Sequence, residues 1–147
     1  MTIFSVTGVP KAQGSKSAFK HKTTGKVIMT EGGTNESRRS FAEWRDQVST
    51  AAEKAHAGAP PLDGPLRVRM RFVFPRPSGA RKADHWKATA PDLDKLQRAV
   101  LDCLTAARVI VDDARVACIE ASKELADAAG RQRTGCTVEV TPVPPWQ

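Results

Sequence analysis

The residues best equipped for chemistry are four aspartates in an otherwise basic chain. Pro91-Asp92-Leu93-Asp94-Lys95-Leu96-Gln97-Arg98 sets two acids either side of one apolar residue, and Asp112-Asp113 follows about twenty residues on. Asp92 and Asp94 fall where a helical pattern begins, so non-helical backbone lets two side chains two positions apart point the same way. Hard carboxylate oxygens in such a pair suit magnesium. Against a formal net charge of +7, an acidic cluster reads as a metal site facing a polyanion.

Each acid also has an ordinary structural reading. Asp92 fits an N-cap, Asp94 is a first-turn acid favoured by the helix dipole, and an Asp-Asp pair alone is commonly a solvated turn. Arg98 lies four residues after Asp94 and four before Asp102, the spacing of a local ion-pair ladder on one helical face. The argument for one metal-binding constellation is the combination: D-x-D, a basic residue one turn later, and a second acid pair beyond a single intervening helix.

Positioning these residues falls to a short series of elements. Leu93, Leu96, Val100, Leu101 and Leu104 form one apolar stripe, predicting a helix that ends near Thr105 to Arg108. Val109-Ile110-Val111 then reads as a short extended run delivering Asp112 and Asp113, whose differing backbone directions leave one of them facing the site. Upstream, Ile3 to Thr7 reads as a first strand. Lys11 to Thr34 reads as an exposed basic loop containing a short hairpin. Asn35 or Ser37 starts a helix that buries Phe41, Trp44, Val48, Ala51 or Ala52, and Ala55. The clearest strand is Leu66 to Phe74, where apolar residues alternate with Arg67, Arg69 and Arg71. Those arginines either lie in the path of a nucleic acid or solvate the open face of a sheet. Pro75 and Pro77 end that strand. Arg76, Arg81, Lys82, His85, Trp86 and Lys87 then form a basic loop that, if mobile, could close over DNA, with Trp86 stacking on an exposed base. Val116 to Lys123 and Cys136 to Thr141 read as two final strands. The sum is a compact two-layer α/β fold, a mixed β-sheet packed with two main helices, in a single domain over 1–147.

Composition narrows the partners. A pI near 9.7 favours a polyanion, with nucleic acid ahead of an anionic membrane because no strongly hydrophobic anchor is present. No run approaches the roughly 20 apolar residues of a membrane span. The start MTIFSVTG lacks the basic opening and long apolar stretch of a signal peptide, so cytoplasmic residence is expected. Cys103, Cys118 and Cys136 are widely spaced with no C-x-x-C pair, and read as small buried apolar residues. His21, His56 and His85 are equally scattered and form no ligand pair. Gly8 to Lys16 lacks P-loop spacing, which argues against a nucleotide cofactor.

The run PDLDKLQRAVLDCLTAARVIVDDARV, residues 91–116, resembles the signature of the RusA family of Holliday-junction resolvases. That signature has an Asp-x-Asp, a basic residue four positions later, an Asp-Ala-Leu-like stretch and Asp-Asp. Gly8 to Lys16 is similar to the family's Gly/Pro-rich basic loop, and Phe72 to Pro77 to its strand before the acids. The resemblance implies that Asp92, Asp94 and Asp113 bind a divalent metal, Mg²⁺ with Mn²⁺ as a substitute. It places the family's basic catalytic position at Arg98, where relatives often carry Lys, and Lys95 where many carry Asn. Arginine does not give up a proton at neutral pH, so Arg98 would act as a charge and not as an acid. Lys16, Arg81, Lys82 and Lys95 are candidates to contact the DNA backbone and offset repulsion from the acids. The implied activity is magnesium-dependent endonuclease cleavage of four-way junctions by paired incisions. Two incisions need two sites, hence a homodimer on branched DNA. Readings of other classes are a non-catalytic basic DNA-binding protein and a magnesium nuclease for flaps or forks.

Overall fold

Alternation of Leu66, Val68, Met70, Phe72 and Phe74 with Arg67, Arg69 and Arg71 builds β4 (Leu66–Phe74), whose six apolar side chains, Val73 included, are all buried. The structure, a computed structural model, describes residues 1–12, 16–20, 24–31 and 34–144, with 16–20 and 27–31 described as backbone only. β1 (Thr2–Thr7), β5 (Val116–Leu125) and β6 (Gly135–Pro142) join β4 in one sheet of order β1-β6-β4-β5. β6 pairs antiparallel with both β1 and β4, whereas β5 runs parallel to β4. A separate antiparallel hairpin joins β2 (Lys16–Lys20) to β3 (Val27–Glu31), inside the stretch expected to hold one.

The parallel pair follows from the connection between its strands, because a helix is the usual way to carry the chain back before a parallel partner. That helix is α2 (Leu93–Ala106), and it buries Leu96, Ala99, Val100, Cys103 and Leu104 on one stripe. α1 (Asn35–His56) begins where the sequence predicts, with the Thr34 hydroxyl accepting from the Ser37 amide at 3.1 Å. Its face of Trp44, Val48 and Ala52 shares a single core cluster with α2 and the inward residues of β1, β4 and β6. Trp44 is therefore a core residue and not a base-stacking one. The expected mixed-sheet, two-helix α/β architecture is what forms. The last two strands do not neighbour each other, however, since β6 inserts between β1 and β4.

The opposite face of the sheet is a lattice of charge. Arg69 meets Glu120 at 2.9 Å and Glu139 at 3.8 Å, and Arg67 meets Glu120 at 3.8 Å. Of the two readings of these arginines, the open sheet face prevails, because glutamates from β5 and β6 answer their charge. Among the described residues no helix is long and apolar enough to cross a membrane.

Glu124 is the buried member of this lattice, only 5 % exposed. Arg71 donates to its two oxygens at 2.7 and 3.0 Å, and Ser122 donates at 2.8 Å. The Arg71 bonds foremost, then the Ser122 hydroxyl, hold this carboxyl below its ordinary 4.5 despite burial. A carboxyl depressed by folding stabilises the fold above its unfolded pKa, and that contribution is lost as pH falls through the folded one. Glu124→Gln is accordingly expected to cost about 1–3 kcal/mol at pH 7. The gap from wild type should narrow as pH drops below 4.5, as urea titrations at pH 7 and at acid pH would show.

Candidate active site

α2 organises both sets of acids, one at each end. At its start Asp92 occupies the N-cap position with extended backbone, yet its side chain makes no capping hydrogen bond. It is exposed and lies 3.5 Å from Lys95 Nζ. The N-cap reading thus holds for the backbone only, and Asp92 and Asp94 are both exposed, Asp94 in the first turn. Arg98 is exposed one turn further on, and among the described residues it forms no ion pair with Asp94 or Asp102. The expected ladder is absent among the described residues.

At the other end, α2 stops at Ala106 and Arg108 turns through a left-handed φ of 59°. The run after it is extended as predicted, with Leu62 bonded to Val109 and Val111 at 2.8 and 3.1 Å. It delivers the two acids to different tasks. Asp112 caps a single 3-10 turn (Asp113–Arg115), accepting from the Ala114 amide at 2.7 Å. Asp113 turns back to α2, where the Thr105 hydroxyl donates to it at 2.5 Å. Asp102, Thr105, Ala106, Asp112 and Asp113 line one open cleft of about 350 Å³. Both acids of the pair line this cleft, Asp112 exposed and Asp113 half-buried, and Thr105 is a partner the sequence did not mark.

The two ends are far apart. Asp94 and Thr105 are eleven residues apart on a continuous helix, a rise of about 16 Å. β5 shows the same separation, since it starts beside Asp113 and has Lys123 near its far end, touching Pro91. Among the described residues no three His, Cys, Asp or Glu side chains come together to hold a metal ion. The single constellation expected from the sequence is therefore not formed within one chain, because the helix between the motifs holds them at opposite ends.

Behind Asp92 the basic loop is stapled by hydrogen bonds to its own backbone and to the end of β5. Arg76 donates to the carbonyls of Ala126, Arg81 and Asp84 at 2.7, 2.8 and 2.6 Å. Asp84 accepts from the Arg81 amide and guanidinium, and the amide above all holds its carboxyl below the usual range. Of the candidate DNA contacts, Arg81 is 84 % exposed but tied to Asp84, and Lys82 is exposed. Lys95 sits half-buried beside Asp92. The side chain of Lys16 lies outside the described residues.

Lys123 is a residue that sequence reasoning missed. From β5 its ammonium donates to the carbonyls of Thr89 and Pro91, each at 2.9 Å, pinning the residues just before Asp92. An alternating strand gives no hint of this, because the partners are backbone atoms of a distant loop. Lys123→Met should release the segment before Asp92 and lower the maximal rate of any reaction that Asp92 serves about ten- to hundredfold. Substrate affinity should stay within about twofold and Lys123→Arg should recover part of the loss, as kcat and KM measured separately would show.

Comparison with known proteins bears on this geometry. The family model described as Endodeoxyribonuclease RusA matches residues 8–140, nearly the whole chain. No curated protein matches the sequence.

Proposed function

Because the chain belongs to the RusA endodeoxyribonuclease family, we propose that it is a Mg²⁺-dependent resolvase cutting four-way DNA junctions by paired, symmetric incisions. Family membership itself carries Holliday-junction resolvase nuclease activity, action on branched DNA and a divalent metal cofactor. The finer reading is that one endonuclease domain over 1–147 works as a two-fold homodimer whose two active sites each take acids from both subunits.

The observation that carries the shared site is the separation of Asp92 and Asp94 from Asp113 by the length of α2. Asp94 and Thr105 lie symmetrically about the midpoint of Leu93–Ala106. Two copies of α2 packed antiparallel would therefore set Asp92 and Asp94 against Asp113 of the partner subunit, twice over. The gathered donors are all carboxylate oxygens, the set a hard cation such as Mg²⁺ prefers, with Mn²⁺ able to substitute.

Asp92, Asp94 and the partner's Asp113 would hold a divalent metal there, which would supply a water of lowered pKa and charge stabilisation at the scissile phosphate. The chain's own residues do the rest. Arg98 offsets charge developing on the phosphate, as a fixed cation that keeps its proton. Lys82, Arg81, Lys95 and Lys16 meet the flanking backbone phosphates and counter repulsion from the acids. Lys123 keeps Asp92 in place while the DNA is bound. The test is cleavage of an end-labelled four-way junction beside a linear duplex of equal sequence, with Mg²⁺ and with Asp113→Asn as control. Symmetric nicks in the junction alone are the expected result. Junction binding without incision under any divalent metal would overturn it, and faster cutting of flaps or forks would replace the substrate.

A further inference from the structure

Trp86 is 66 % exposed, yet nothing about its backbone is loose. It forms an antiparallel bridge with Glu124, while Leu125 donates to the His85 carbonyl at 2.8 Å and Lys87 to the Lys123 carbonyl at 3.0 Å. These bonds dock residues 85–87 along the end of β5. The His85 ring stands edge-on to the indole, with centroids 4.6 Å apart, and its Nε2 lies 3.0 Å from the Glu124 carboxylate. Glu124 is fixed in turn by Arg71. A chain of contacts from the sheet thus orients a large apolar ring into solvent, where a soluble surface would ordinarily bury or omit it. Six residues later the chain reaches Asp92, and the neighbouring Lys82 and Arg81 are exposed cations.

We propose that Trp86 is a stacking platform for a nucleobase at the branch point of the DNA, and so a determinant of branched over linear substrate. The inference rests on the functional reading above. Aromatic side chains stack on any base whose face is open, whatever its identity. In continuous duplex every base face is covered by its neighbours, so a fixed indole gains nothing there. At a branch point stacking is interrupted and a face becomes available beside the strand to be cut. Preorganisation of the ring by His85 and Glu124 removes the ordering cost that a mobile loop would incur on binding.

The experiment measures binding in EDTA, where no cleavage occurs, to a junction carrying 2-aminopurine beside the branch point and to the matching duplex. Trp86→Ala is expected to weaken junction binding about ten- to hundredfold, the worth of one stacked base. Duplex binding should stay within about twofold, since phosphate contacts dominate it. The change in 2-aminopurine emission on binding should disappear in Trp86→Ala and survive in Trp86→Phe. Because the side chain is exposed, the thermal midpoint should not move, which separates lost stacking from lost folding. If the wild type cleaves junctions while Trp86→Ala binds them as tightly, with the same 2-aminopurine response, this inference falls and the functional reading stands. If the wild type neither prefers nor cleaves junctions, the functional reading falls and takes this one with it.

Discussion

Asp113→Asn is expected to reduce junction cleavage by about a thousandfold or more while leaving junction binding intact or slightly tighter. The substitution preserves shape and an oxygen that can accept from Thr105, so the contact that orients the side chain survives. Asp112 still caps the 3-10 turn through the Ala114 amide, so the segment has no reason to unfold. What disappears is one negative charge and, on the proposed function, one hard ligand. A basic protein binding a polyanion does not lose affinity when a carboxylate facing that polyanion is neutralised. Asp112→Asn is the instructive comparison: its work is local and structural, so cleavage should fall far less. Labelled-junction cleavage under single-turnover conditions, alongside gel-shift binding in EDTA, reads both quantities. Equal loss in the two variants would mean that the pair acts through the turn and not through a ligand.

Local order was legible in the residues, and assembly was not. Leu96, Val100 and Leu104 repeat with the helical period, and Leu66 to Phe74 with the strand period, because burial of one face imposes that spacing. The different hydrogen-bond partners of Asp112 and Asp113, the Ala114 amide and the Thr105 hydroxyl, accord with neighbouring backbone directions. Periodicity says nothing of which strand lies beside which, so the insertion of β6 between β1 and β4 had no signature in the sequence. Nor did the pairing of Arg67, Arg69 and Arg71, which depends on glutamates some fifty residues later in β5. The separation of the acids was not legible either. A helix predicted from Leu93 to about Thr105 sets a rise of about 16 Å between its ends, but the eight residues from Thr105 to Asp113 are long enough to return along it, and it is the Thr105 contact in the structure that keeps Asp113 at the far end. Lys123 lay beyond reach, since bonding to loop carbonyls leaves no trace in residue type or spacing.

That separation makes mixing two inactive variants the sharpest test of a site shared between subunits. Asp94→Asn and Asp113→Asn homodimers should each be inactive, because every site in them lacks one acid. A heterodimer of the two is different. One of its sites combines both substitutions, and the other combines intact Asp92 and Asp94 from one subunit with intact Asp113 from the other. Random subunit exchange should therefore restore about a quarter of the wild-type sites, and a heterodimer isolated through two different tags should have one working site per dimer. Its product should be distinctive as well. A single working site nicks one strand of the junction without the paired incision on the opposite strand, so nicked junctions should accumulate where the wild type gives resolved duplexes. Denaturing gels would show the restored nick, and native gels the failure to resolve. If all three acids served one site within one chain, every site in the heterodimer would still lack an acid. Mixing would then restore nothing, and the antiparallel pairing of α2 across a two-fold axis would be wrong.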